Sequence, residues 1–402
     1  MSTGKRGGPL QGVRVVELTK VWAGPYVGKL LAQLGAEVIR IESRGSLDVT
    51  RTYGVKDIDD APGFQSVNAQ KLSVQIDMKT EAGIRLILDL LAKSDIVVEN
   101  LRPGAVKRLG LGYDAVKAIN PKIVFVSMGM YGNTGPLSYQ TGYAPCFAAL
   151  GGLSLLVGPE GASAPTGMNV RYADSTFGAF AGYAAVVALA HQRRTGEGQF
   201  VDVSAVESMT SMIGDVVMDH ALTGTVHRWD GNRHPGMAPH GAYPCRDGGW
   251  ISIAVASDAA WRAFSETIGA PALASDPRFR TLADRQAHLQ ALDARVAEWT
   301  AQQDADEATA VLQKAGVAAA KSQNSVELVA DGHLWSRGFF QEVADRAGRT
   351  KSTTGPAWTM SRPARVTDAA PKLGEHNAYV LGTILGLSDA EQRRLAETKV
   401  TW

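Results

Sequence analysis

Cysteine is scarce in this 402-residue chain: only Cys146 and Cys245 occur, far apart. That excludes a disulfide framework and a cysteine-paired metal site, and it suits a reducing compartment. No charge of one sign dominates, because 41 Lys and Arg face 40 Asp and Glu. No global field therefore favours nucleic acid or an anionic membrane. Long hydrophobic runs are missing too. The longest, around residues 179–190, contains Gly182 and reads as too short to span a bilayer. The opening MSTGKRGGPLQG is polar and lacks the apolar centre of a signal peptide. The expectation is a cytoplasmic protein without nucleic-acid or membrane partners.

The usual chemical signatures are also missing. No Ser sits in a G-x-S-x-G elbow, and no H-E-x-x-H occurs. The eight histidines are scattered, and His234 and His240 lack a third ligand at a recognisable spacing, so no metal site is expected. Cys146, in APCFAALGG, reads as a packed small hydrophobe. The turn after the first apolar segment is ELTKVWAGPYVG, not G-x-G-x-x-G, which disfavours a nicotinamide or flavin dinucleotide. No phosphate loop ending in Gly-Lys-Ser/Thr is found either.

What is present is alternation. VRVVEL, EVIRIE, DIVVEN and KIVFVSM read as buried strands. Between them YVGKLLAQLG, GIRLILDLLAKS and YDAVKAIN read as helices. Strands and helices in turn argue for a Rossmann-like α/β fold, a parallel sheet with helices on both faces. Such a sheet binds ligands at the carboxyl ends of its strands. Residues 1–227 read as the first part of a large domain. Residues 228–330, with WISIAVA and two helical segments, read as a smaller α+β domain, and 331–402 as a returning C-terminal segment.

Asp174, in YADSTFGAFAGYAAVVALA, precedes an apolar run at helical spacing. It reads either as a helix cap, accepting the N–H of Thr176 or Phe177, or as a nucleophile held at a helix start; the letters leave both open. Basic and polar residues gather at the expected strand ends: Arg40 and Arg44, Lys71 and Lys79, Asn100, Arg102 and Arg108. Together they suit a large, multiply phosphorylated ligand.

Four blocks carry a resemblance: PLQGVRVVELTKVWAGPYVGKLLAQLGAEVIRIE, NAQKLSVQIDMKTEAGIRLILDLLAKSDIVVENLRPGAVKRLGLGYD, RTGEGQFVDVSAVES and KLGEHN. They are similar to the class III CoA-transferases, which include formyl-CoA transferase and the carnitine CoA-transferases. The resemblance implies a large domain whose parallel sheet is built from both chain ends, a small inserted domain, and an interlocked dimer. The dimer is read as a homodimer, with a heterodimer as the other form. It implies no tightly bound cofactor, a coenzyme A thioester as co-substrate and a carboxylic acid as acceptor.

By resemblance Asp174 is the catalytic residue. An ordinary Asp is already ionised at neutral pH and needs no histidine to activate it, so it relays CoA through an anhydride and a thioester. Also by resemblance, CoA is bound by Val21, Trp22, Ala23, Ser43, Arg44, Ile76, Lys79, Asn100, Leu101, Arg102 and Arg108. Trp22, Tyr143, Met237 and His240 are expected to line the substrate pocket. There are departures. Formyl-CoA transferase has glutamine in place of Trp22 and arginine in place of Ser43, with Arg44 adjacent here. Its glycine-only loop is replaced by HPGMAPHGAYP. These changes argue against formyl or oxalyl groups and for a succinate-type donor, with a substituted dicarboxylate or arylalkyl acid as acceptor. Two alternatives remain: an α-methylacyl-CoA racemase-like isomerase, and a non-catalytic scaffold subunit. The racemase histidine has no counterpart at Thr141, Gly142 or Tyr143, and retention of Asp174 argues against a scaffold.

Overall fold

A computed structural model describes residues 6–163, 170–344 and 348–402. Strands β1 (Arg14–Leu18), β2 (Glu37–Glu42), β3 (Leu72–Gln75), β4 (Ile96–Glu99), β5 (Val124–Gly129) and β6 (Gln199–Ser204) form one sheet. The order is β3-β2-β1-β4-β5-β6, and every neighbouring pair is parallel. This is the doubly wound order, whose topological switch point lies between β1 and β4. The helices are α1 (Ala23–Gln33), α2 (Pro62–Asn68), α3 (Glu81–Leu91), α4 (Ala105–Arg108), α5 (Tyr113–Ile119), α6 (Ala144–Leu150) and α7 (Val170–Thr195).

Period-two alternation builds both cores. Val15, Val38, Val98 and Val126 turn to one face and pack with Val27 and Leu31 of α1, Phe147 of α6, and Phe177 and Ala181 of α7. Val16, Ile39, Val97 and Phe125 turn to the other face, against Ile87 and Leu90 of α3 and Val116 of α5. Val380, Leu381 and Ile384 of the C-terminal helix Ala378–Ile384 join this second core. Burial on both faces explains why these strands read as unbroken apolar runs.

Four expectations are corrected. The sheet is not built from both chain ends, because all six of its strands lie between residues 14 and 204. The C-terminal strands Phe340–Ala344 and Thr350–Thr354 pair antiparallel with each other. They are polar and partly exposed, unsuited to a sheet covered on both sides. β3 went unread because Ser73 and Gln75 interrupt its apolar pattern; both are buried, and Ser73 donates to Glu42. The apolar run at residues 179–190 belongs to a longer helix, whose stretch Tyr172–Thr195 satisfies the length and composition of a membrane span. Its Ala173, Phe177, Ala181, Ala185 and Ala188 face the core. Cys146 is exposed rather than packed.

The described chain forms two compact units: residues 6–155, 170–227 and 332–402 in the larger, and 156–163 and 228–331 in the smaller. The smaller holds an antiparallel sheet of β7 (His240–Pro244), β8 (Trp250–Ala254) and β9 (Ala318–Lys321). Its core contains Trp261, Phe264, Phe279, Leu292 and Val296.

Candidate active site

Residues singled out from the sequence fall at one edge of the large sheet. Val21, Trp22 and Ala23 follow the end of β1, and Ser43 and Arg44 that of β2. Ile76 and Lys79 follow β3, while Asn100, Leu101 and Arg102 follow β4. These are all carboxyl ends of parallel strands, the side on which doubly wound sheets bind ligands. Arg108 closes α4 just beyond, its Nη1 donating to the Pro103 carbonyl at 3.3 Å.

Asp174 does not begin a helix. α7 starts at Val170, so Asp174 lies in its second turn and the capping expectation is corrected. Its placement follows from how α7 meets α1. Trp22 Nε1 donates to Ser175 Oγ at 3.1 Å. A Cβ on Gly178 would stand 2.7 Å from the Ala23 carbonyl oxygen and 3.1 Å from the Tyr26 ring. One turn on, a Cβ on Gly182 would lie 3.5 Å from Leu30. The two helices therefore run side by side in the same direction, with the only backbone-close contact at Gly178 among these three. Asp174 and Gly178 share a helix face, and side chains lean toward the helix N-terminus. Asp174 therefore lies on the face of α7 that meets the start of α1.

Asp174 is half-buried and makes no hydrogen bond or ion pair with the described residues. Burial pushes its carboxyl up to about 7. The expectation of an ordinary aspartate is corrected: burial disfavours its charged form.

The loops around the switch point are braced by side chains. The Asn100 amide accepts the Lys20 N–H at 2.8 Å and donates to the Lys20 carbonyl at 2.9 Å. Asn100 thus joins the β1 and β4 loops in the manner of a strand pair. A Cβ on Gly24 would lie 2.7 Å from both Asn100 and Thr19, so only glycine permits this approach. Glu99 accepts the Leu101 N–H at 2.9 Å and a hydrogen bond from Ser127. Burial raises its carboxyl above the ordinary value.

The cations separate into two groups. Arg44, Lys79, Arg102 and Arg108 are exposed at the ligand edge. Arg40 and Lys71 are buried and engaged by carboxylates. Lys71 Nζ lies 3.0 Å from Glu17, whereas Arg40 pairs with Asp48, Glu42 and Glu17. Their role as phosphate ligands is therefore corrected; they hold the sheet from within. Ser43 is buried, its hydroxyl accepting the Gly45 N–H at 3.2 Å. Ile76 packs in the core and its N–H donates to Glu42 O at 2.9 Å, leaving its side chain no ligand role.

Tyr143 precedes α6 and is 71% exposed. Met237 and His240 belong to the smaller unit. There His240 Nδ1 lies 2.5 Å from the Asn232 carbonyl, and its ring centroid 5.2 Å from that of His234. Sequence reasoning missed Ser175, Gly178 and Asp48. The glycine inside the apolar helix of ADSTFG was the one visible signal, since a helical glycine marks close approach.

Residues 10–377 match the model of CoA-transferase family III, and the chain belongs to that family. It is accordingly an enzyme, a CoA-transferase. It is 33% identical over 403 residues to succinyl-CoA–D-citramalate CoA-transferase of Chloroflexus aurantiacus, with 100% of both chains covered. It is 30% identical over 385 residues to succinate–glutarate CoA-transferase of Agrobacterium fabrum, covering 94% of this chain and 96% of that one. A solved CAIB/BAIF family protein from Brucella suis superposes with a TM-score of 0.86 at 33% identity, covering 94% of this chain and 100% of the other.

Proposed function

We propose that the enzyme moves CoA from a succinyl-type donor to a dicarboxylic acid acceptor, with Asp174 as the covalent relay. The observation that carries this is the packing of α7 on the start of α1, through Trp22–Ser175 and Gly178, on the helix face that bears Asp174. The carboxylate attacks the donor thioester carbonyl; the C–S bond breaks and CoA leaves as thiolate. The thiolate then attacks the aspartyl carbonyl of the mixed anhydride, and the donor acid departs as carboxylate. The acceptor carboxylate attacks the aspartyl thioester and releases thiolate. The thiolate finally attacks the acceptor's carbonyl in the second anhydride, forming acceptor acyl-CoA and restoring Asp174. Each step exchanges one acyl bond for another, without metal or redox cofactor. N–H groups at the start of α1 are suitably placed donors for the oxyanions.

Relatives named for citramalate and glutarate support a dicarboxylate over an arylalkyl acid. The racemase reading lacks its second acid–base group. Arg44, Lys79, Arg102 and Arg108 are read as the phosphate-facing cations of the CoA site. Trp22 and Tyr143 are read as lining its acyl pocket. The enzyme is read as a cytoplasmic, interlocked homodimer. In support, α7 exposes Tyr172, Tyr183 and Val187, and the helix Gly214–Thr223 exposes Val217, Met218 and Leu222. Relatives named as alpha and beta subunits make the heterodimer the competing form.

The test crosses a panel of acyl-CoA donors with carboxylic acids, read by mass spectrometry, with hydroxylamine trapping on Asp174. Transfer with acylated Asp174 is expected; α-proton exchange without transfer would overturn the reading. Sedimentation of the purified chain at micromolar concentration should give a dimer.

A further inference from the structure

Asp48 has so far been given no role beyond its pairing with Arg40. It follows β2 in the segment SLDVTR, and its side chain is 1% exposed. Oδ1 accepts from the Thr50 N–H at 2.9 Å and from Thr50 Oγ1 at 2.8 Å. Oδ2 takes the Arg40 guanidinium. The Val21 N–H is directed at both oxygens, 3.3 Å from Oδ1 and 3.1 Å from Oδ2. Val21 has φ of +69°. Branching at Cβ makes this left-handed region especially unfavourable for valine. Such a conformation persists only where its surroundings impose it, and it concentrates at functional sites.

The residue immediately after Val21 is Trp22, whose indole is bonded to Ser175 beside Asp174. The next is Ala23, whose carbonyl lies against Gly178. The backbone turn at Val21 therefore sets how the start of α1 meets the nucleophile's helix. Glycine would adopt that turn freely, but it would also leave it freely. A valine tethered to a buried carboxylate is held in one conformation. The other groups around Asp48 do not duplicate this tether: Arg40 and Thr50 donate to Asp48 and do not bond Val21.

We propose that Asp48 is a positioning residue for CoA transfer: its buried carboxylate holds Val21 in the left-handed conformation that aims Trp22 and Ala23 at Asp174. The proposal rests on Asp174 as the nucleophile. Asp48 touches neither substrate nor reacting atoms and acts through the Val21 N–H.

The test is a rescue cycle in the full-length enzyme, with kcat, KM and folding measured for each variant. Asp48→Asn should lower kcat by about tenfold or more while changing the donor KM by less than about threefold. In a Val21→Gly background the same substitution should cost less than about threefold, because glycine reaches the left-handed region unaided. Equal losses in both backgrounds would show that Asp48 acts only by supporting Arg40, and would overturn the proposal. Val21→Pro removes the donated N–H and sets φ near about −65°, yet leaves the Asp48–Arg40 pair whole. It should fold and lose transfer; turnover at the wild-type rate would overturn the proposal even if Asp48→Asn failed to fold. Asp174→Asn is measured alongside. Transfer surviving in that variant would overturn the nucleophile reading itself, whereas an inactive Asp174→Asn beside a fully active Val21→Pro would overturn the positioning role alone.

Discussion

The Trp22 indole N–H donates to Ser175 Oγ at 3.1 Å, one residue beyond Asp174 on α7. That bond joins two elements separated by 153 positions in the chain. On one side is the loop leaving β1 at the switch point, and on the other the helix carrying the carboxylate. Neither element makes a site alone. The β1 loop offers backbone donors but no nucleophile, and α7 offers a carboxyl with nothing to orient a thioester. Their contact, through Trp22–Ser175 and the backbone approach at Gly178, is what the proposed relay at Asp174 requires.

Asp174→Asn isolates the nucleophile. Asp174 lies within the helix, so the change removes no cap. It also replaces a desolvated acid with a neutral amide of nearly equal shape. A folded protein that still binds acyl-CoA should result, with transfer lowered by several orders of magnitude. Near-normal turnover, with deamidation excluded by mass spectrometry, would refute the assignment.

The same carboxyl sets a pH dependence. Its folded-state value is raised from 3.8 to about 7 by burial. Activity needs the ionised form, so kcat/KM should rise with pH and level off above about 7. Stability moves the other way. Between 3.8 and about 7 the folded state binds more protons at this group than the unfolded state does. The stability it contributes is fully present below 3.8 and is lost as pH rises through about 7. Thermal melts from pH 5 to 8 should show the wild type losing ground to Asp174→Asn as pH increases. Parallel curves would contradict the raised value.

The sequence made the sheet legible where strands were buried on both faces. EVIRIE coincides with β2 because Val38 and Ile41 face opposite cores and no polar residue breaks the run between them except Arg40. Arg40 also shows what was hidden. A cation at a strand end reads as a ligand for phosphate, yet here its side chain is 1% exposed and faces Glu17, Glu42 and Asp48. One-dimensional spacing cannot show that these acids, 2, 8 and 23 positions away from Arg40, converge on it from β1, β2 and the loop after β2. Asp174 was legible as a residue type in a motif, but its depth was not. The close approach of α1 to α7 is marked by Gly178, whose only sequence trace is a missing side chain.

Lys71 tests that internal charge network. It is fully buried, and its Nζ donates to both Glu17 oxygens at 3.0 Å, to Pro25 O at 2.6 Å and to Asn68 Oδ1 at 3.0 Å. Burial lowers the ammonium to about 8 and raises Glu17 above the ordinary carboxylate value. Lys71→Met leaves a buried carboxylate without its nearest cation and should destabilise the enzyme by about 3–5 kcal/mol in urea denaturation. Adding Glu17→Gln should recover part of the loss. If the single substitution costs under about 1 kcal/mol, the network does not hold the sheet as described.

Gly178 and Gly182 give a matched pair for the contact between α1 and α7. A methyl at Gly178 would meet the Ala23 carbonyl at 2.7 Å, and backbone cannot swing aside as a side chain can. Nor is α1 free to retreat. Cβ positions on Gly24 and Gly28 would lie 2.7 Å from Asn100 and 1.8 Å from Glu17, so the helix already stands hard against the β1 side. Gly178→Ala must therefore push α7 outward, carrying Asp174 and Ser175 with it. The overpacking should cost about 1–3 kcal/mol, and the displacement should lower kcat by about a hundredfold. At Gly182 the nearest atom to a new methyl is Leu30 Cδ1 at 3.5 Å, an ordinary contact. Gly182→Ala should keep wild-type kcat and gain up to about 1 kcal/mol from helix propensity. Melting and steady-state kinetics on both variants decide the matter. If the two alanines behave alike, the approach of α7 to α1 at Gly178 is not what places the nucleophile.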